Sequence, residues 1–160
     1  EIRAAFAPSP RAVAVLDALP QPGPHDVAVH VRRTDYLTMP DHLPVQDADY
    51  YRAAAALLAL DHHGLTELRF HVYGDDPEWV ENVLPEGWEQ KRYGGEGDGE
   101  PRDWADMQLM ARYNHHVIAN SSYSWWAAWL SDNPSPVAPA VWFGKLIDTP
   151  SPVLPEWRTL

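Results

Sequence analysis

The sequence contains no cysteine. That removes a disulfide framework and any thiolate metal site, and leaves the redox compartment unread, since cysteine usage is what would report it. Positive charge is scarce: 12 Lys+Arg stand against 23 Asp+Glu, a formal net charge of -11. A broad basic surface for nucleic acid or an anionic membrane is thereby excluded, so any anion must be met by a local cluster. Long apolar runs are missing as well. No stretch approaches the roughly 18 consecutive apolar residues of a membrane helix, and no segment joins a basic start to an apolar core as a signal peptide does. Internal repeats of about 20 to 50 residues are also absent.

What is present suffices for one domain with a sizeable core, since 160 residues carry 45% hydrophobic side chains. Short apolar runs alternate with helical patterns. Val27–Val31, Leu68–Tyr73 and His116–Asn120 read as strands, with Trp88–Tyr93 and Val137–Trp142 as further short ones. Asp47–Leu60 reads as a helix capped by Asp47 or Asp49, and Asp76-Pro77 as a capped helix start with proline first. Asp103–Tyr113 reads as a helix capped by Asp103, and Ser124–Ser131 as a tryptophan-rich helix entered from "NSS". Residues 3–19 hold one more helix, interrupted near Pro8 and Pro10, and the Gly/Glu run 94–100 reads as a loop.

Strands of about five residues alternating with longer helices imply a Rossmann-like α/β fold, a parallel sheet with helices on both faces. In such sheets ligands bind beyond the carboxyl ends of the strands. Those ends carry Arg32-Arg33-Thr34-Asp35, Gly74-Asp75-Asp76 and Asn120-Ser121-Ser122-Tyr123-Ser124. A guanidinium is a planar fork of donors that matches phosphate oxygens and stays charged at any working pH. Successive strand residues face opposite ways, so only one of the two arginines reaches a given ligand, and the other pairs with Asp35, Asp75 or Asp76. Serines before a helix offer hydroxyls and unpaired N–H groups, an anion site, although Ser121, Ser122 and Ser124 taken alone read first as helix caps. Taken singly, each feature has a structural reading: an ion pair, a strand-end His30, a helix start. Trp125, Trp126 and Trp129 read as core residues at helical spacing. The joint placement on the ends of one sheet is what points to a ligand site.

"HVRRTDYL" (30–37), "VYGDDPEW" (72–79) and "DMQLMARYNHHVIANSSYSWWAAWL" (106–130), with "PEW" at 155–157, resemble in order and spacing the motifs of the α-1,2-fucosyltransferases, glycosyltransferase family 11. The HxRRxD element is shared with other fucosyltransferases; the tryptophan-rich segment narrows the resemblance. Thr34, Gly74, Tyr123 and Ala127 depart from the residues usual there, and blur the subfamily more than the superfamily.

The resemblance implies that residues 1–160 form a single GDP-fucose-binding domain, similar to the C-terminal lobe of a GT-B glycosyltransferase, with the acceptor-side lobe lying outside them. It implies transfer of L-fucose from GDP-fucose to a hydroxyl of a galactose-containing acceptor glycan, with inversion and without a metal or other cofactor. The alternative is a GDP or nucleotide-sugar-binding module that does not transfer sugar; a nucleotide-binding-like domain whose site has decayed is a third. Arg32 would hold the β-phosphate and stabilise the departing GDP. Arg33 would brace the acids Asp75 and Asp76. His30 would contact the guanosine, Asp106 the guanine N1–H and amine, and Ser121 and Ser122 would complete the phosphate cradle. Asp35 is a candidate general base, though an Arg33-Asp35 pair would lower its pKa and weaken it; a base from the other lobe, or a loose oxocarbenium-like transition state, are the alternatives. The family likeness and the missing targeting segments lead to the expectation of a bacterial-type cytoplasmic enzyme.

Overall fold

The computed structural model describes residues 2–61, 68–91, 103–132 and 135–160. The apolar run around Val29 forms the middle of the sheet: β1 (Asp26–Val31) is buried along its whole length. A strand buried on both faces must bring apolar residues to each. Val27, Val29 and Val31 meet Tyr50, Tyr51, Ala54 and Leu58 of α3 (Ala48–Asp61) and Val80 of α4 (Pro77–Val83). Ala28 faces the other way, onto Met110 of α5 (Asp103–Met110) and Ala127 of α6 (Ser122–Leu130).

Two parallel neighbours flank β1. β2 (Arg69–Gly74) pairs from Asp26↔Arg69 to Val31↔Gly74, and β4 (His115–Val117) pairs on the opposite side. With β3 (Glu89–Gln90), β5 (Val137–Ala138) and β6 (Arg158–Thr159), the sheet is entirely parallel in the order β3-β2-β1-β4-β5-β6. This is the doubly wound Rossmann-like arrangement with helices on both faces. The chain builds outward from β1 to β3, then returns through α5 to β4 on the other side. The loops leaving β1 and β4 therefore diverge, and that topological switch point opens a crevice.

Several boundaries differ from the sequence reading. The segment near residues 3–19 forms two helices, α1 (Ile2–Ala5) and α2 (Pro10–Asp17); Ser9 accepts from the Ala12 N–H at 3.3 Å and Pro10 starts the second. Asp47 does cap α3, its Oδ1 accepting from Tyr50 N at 2.9 Å. Asp103 lies inside the first turn of α5, and the residue before it is outside the described residues, as is the 94–100 run. β5 is two residues long, because Pro139 has no N–H to continue the ladder. β6 was not expected; a two-residue strand carries no periodicity to read.

Trp125 and Trp129 of α6 pack against the core, as their spacing suggests, but from its edge. Ser124, Ala127 and Ala128 are the buried residues of that helix, while Trp125 and Trp129 are only partly buried. Small side chains let the helix approach the sheet closely, and the indoles fill the flanks. Trp126 stacks on Phe6 at 4.6 Å, and Trp125 lies 5.4 Å from Trp157.

The loop after β5 is locked to the loop after β1. Gly144 N donates to His42 O at 2.7 Å, and Leu146 N to Asp41 O at 3.1 Å. A Cβ on Gly144 would lie 2.1 Å from the Asp41 carbonyl oxygen, a backbone atom that cannot rotate away. Gly144→Ala is expected to destabilise the fold by about 1–3 kcal/mol, seen as a lower midpoint in urea unfolding with an unchanged slope; a midpoint equal to wild type would show that the two loops separate freely.

Candidate functional site

Beyond Val31 the two arginines diverge, as neighbouring residues at a strand end must. Arg33 lies over the Trp79 ring at 4.1 Å, and its Nε donates to Asp76 Oδ2 at 3.1 Å, leaving the side chain 14% exposed. Asp76 thereby serves twice, since its Oδ1 accepts from Trp79 N at 3.1 Å and caps α4. Arg32 turns to the other side, over the Tyr36 ring at 5.7 Å, and pairs with Asp35 at 2.8 Å and Asp75 at 3.3 Å.

Of the three acids open to the second arginine, Arg33 takes Asp76, and Asp35 pairs with Arg32. Three residues of separation through a tight turn bring Asp35 back beneath Arg32, while Arg33 is held by Asp76 and Trp79. The Arg32 hydrogen bond lowers the Asp35 pKa, so Asp35 is a weak base while it is paired.

Asp75 joins the ends of β1 and β2. Its Oδ1 accepts from Arg33 N at 2.9 Å, and its Oδ2 accepts from Thr34 N at 3.2 Å and from the Thr34 hydroxyl at 2.6 Å. These bonds satisfy backbone N–H groups that leave the β ladder at the strand end.

The third element is the start of α6. Ser121 is its N-cap residue, in extended conformation, and its side chain makes no capping bond. The Ser121 side chain lies near the Tyr36 phenol and opposes the rise that burial causes in its pKa. The phenol donates to Asn120 O at 3.0 Å. The N–H groups of the first turn, from Ser122 onward, have no carbonyl four residues back within the helix, and the helix dipole adds partial positive charge.

These elements enclose one cleft of about 730 Å³ at the switch point. His30, Arg32, Asp35, Asp75, Asp106, Ser121 and Ser122 all line it. Arg33 and Asp76 do not; they stand behind the wall. Tyr123, from the polar cluster after β4, lines it too; sequence reasoning missed Tyr36, Tyr73, Lys91 and Asp103, which also line the cleft. Tyr36 and Tyr73 sit inside or beside the polar strand ends and were legible as neighbours. Lys91 follows a two-residue strand and had no signal.

His30 is 6% exposed, and its Nδ1 has no hydrogen-bond partner among the described residues. Burial lowers its pKa to about 4, with Asp75 opposing that shift and Arg32 adding to it, so the ring is neutral at neutral pH. Tyr123 packs 5.3 Å from it and donates from its hydroxyl to Asp103 O at 2.5 Å.

A doubly wound parallel α/β domain with an arginine, a helix N-terminus and carboxylates converging on its switch point has the form of a domain that takes an anionic ligand through a small local site. The chain belongs to glycosyl transferase family 11, whose family model matches residues 9–158. It is 32% identical over 134 residues to an alpha-1,2-colitosyltransferase of Escherichia coli, covering 82% of this chain and 46% of that protein. It is 36% identical over 122 residues to the O-antigen biosynthesis glycosyltransferase WbnK of Escherichia coli, covering 72% and 38%. Human galactoside alpha-(1,2)-fucosyltransferase 1 is 29% identical over 139 residues, covering 82% and 37%. The chain thus spans less than half the length of these curated relatives. No solved structure matches it significantly.

The buried histidines make stability pH-dependent. His30 and His116 both have pKa values lowered to about 4 by burial. An unfolded histidine titrates near about 6.5. Between those values the unfolded state binds more protons, so stability falls as pH drops through the window, by up to about 1.4 kcal/mol per pH unit for each histidine. Urea midpoints measured from neutral pH down to about pH 5 should decrease, and His116→Gln should flatten the slope; a flat wild-type profile would mean that neither ring is held neutral.

Proposed function

We propose that this chain is the donor-binding part of an inverting α-1,2-fucosyltransferase, and that its cleft holds GDP-fucose. The observation that carries the reading is the convergence of Arg32, the α6 N-terminus and Asp106 on one cleft at the switch point of a family 11 chain. Each matches one part of a guanosine diphosphate sugar. Arg32 and the first-turn N–H groups of α6 would meet the diphosphate, and Asp106 the N1–H and amino edge of guanine. His30 would lie against the nucleoside.

In the transfer, a galactoside hydroxyl of the acceptor glycan attacks the anomeric carbon of fucose as the bond to GDP breaks. Negative charge then grows on the β-phosphate oxygens, so donors fixed in advance at that place lower the barrier. Arg32 is already gathered at the cleft by Asp35 and Asp75. Those partly exposed pairs are worth at most about 1 kcal/mol each, so a diphosphate can draw the guanidinium from them. Displacing Asp35 would also free it to accept the hydroxyl proton. A cation and helix N–H groups together supply what a metal supplies elsewhere, so donor binding is expected to be metal-independent.

A second donor follows from the colitosyltransferase relative, which makes GDP-colitose the alternative to GDP-fucose. The remaining alternative is a domain that binds the nucleotide without transfer, since orientation of an acceptor supplies much of the acceleration.

Calorimetry with GDP, GDP-fucose and GDP-colitose in EDTA, with UDP as control, tests the reading. GDP should bind and UDP should not, and Arg32→Ala should weaken GDP binding by about 10- to 100-fold, the value of charge-assisted hydrogen bonds. Equal affinity for UDP, or an unchanged Arg32→Ala variant, would overturn it.

A further inference from the structure

We infer that Tyr36 is a positioning residue that couples the two anion-binding elements of the cleft, so that Arg32 and the α6 N-terminus meet a diphosphate as one preformed unit. The inference rests on the nucleotide reading above.

Tyr36 touches both elements. Its ring lies beneath the Arg32 guanidinium at 5.7 Å, and its hydroxyl donates at 3.0 Å to the carbonyl of Asn120, the residue before the α6 N-cap. Asn120, which enters α6, is itself fixed: its Nδ2 donates to Trp142 O at 2.9 Å and its Oδ1 accepts from Gln46 at 3.3 Å. The phenol is therefore fastened to an anchored point, while the ring supports the arginine from below. Only 8% of Tyr36 is exposed, and burial raises its pKa, so it stays a neutral hydroxyl.

The consequence concerns entropy. An arginine carries about 2 kcal/mol of side-chain rotamer freedom, and binding must order whatever is loose. A ring held at fixed distance from the helix start restricts the guanidinium before a ligand arrives.

The test compares ligands that share only part of the site: inorganic pyrophosphate, GDP and guanosine, with Tyr36→Phe, which keeps the ring and removes the hydroxyl. Calorimetry and ligand-observed NMR should show pyrophosphate and GDP weakened by about 3- to 30-fold, the value of one or two hydrogen bonds. Guanosine should bind as it does to wild type. An unchanged affinity for pyrophosphate, or an equal loss for guanosine, would each overturn the inference alone. Wild-type protein that binds neither GDP nor pyrophosphate would overturn the nucleotide reading and this inference with it.

Discussion

One carboxylate, that of Asp75, sets the geometry on which the cleft depends. It directly follows β2 and receives the N–H groups of Arg33 and Thr34 together with the Thr34 hydroxyl, so the loop leaving β1 is held at a defined angle. A strand end normally leaves its N–H groups to water. Here they are collected by the neighbouring strand, and the direction in which Arg32 and Arg33 depart is fixed by that bond. Gly74, just before Asp75, permits it: a Cβ there would lie 2.9 Å from Val31 Cβ.

A chain of net charge -11 keeps its few cations where they matter by surrounding them with acids. Arg33 is sandwiched between Asp76 and Trp79 and mostly buried, and its loss would strip the half-buried Asp76 of its cation, leaving that carboxylate only the Trp79 N–H. Arg32 is more exposed and its pairs are weaker, the condition under which a cation can exchange partners. Two adjacent arginines thus have different freedoms because one points into packed aromatic surface and the other toward solvent.

The layers behind the cleft serve the same end. β1 is buried on both faces, by α3 and α4 on one and α5 and α6 on the other, and its loop inherits that rigidity. The small residues Ser124, Ala127 and Ala128 bring α6 close to the sheet, which places its N-terminus beside the end of β1. The tryptophans complete that packing from the flank, against Phe6 and Trp157.

Much of this was legible in the residues. The apolar run at Val27–Val31 declared a buried strand, alternation of strands and helices declared a parallel sheet, and the polar clusters after Val31, Tyr73 and Ala119 marked where a ligand site would lie. β6 and the limits of β5 were not legible, because strands of two residues have no period. Nor was the partner of Asp35, which depends on how the chain turns after the strand. What the sequence by itself determined is local: hydrophobic period, caps such as Asp47 and Asp76, and the chemical types at strand ends. What only the tertiary structure decided is which of those groups meet: Arg32 with Asp75, Tyr36 with Asn120, and Lys91 with the rest of the cleft lining. Contacts between residues distant in sequence are set by the packing of the sheet and its helices, and nothing in the spacing of residues along one strand records them.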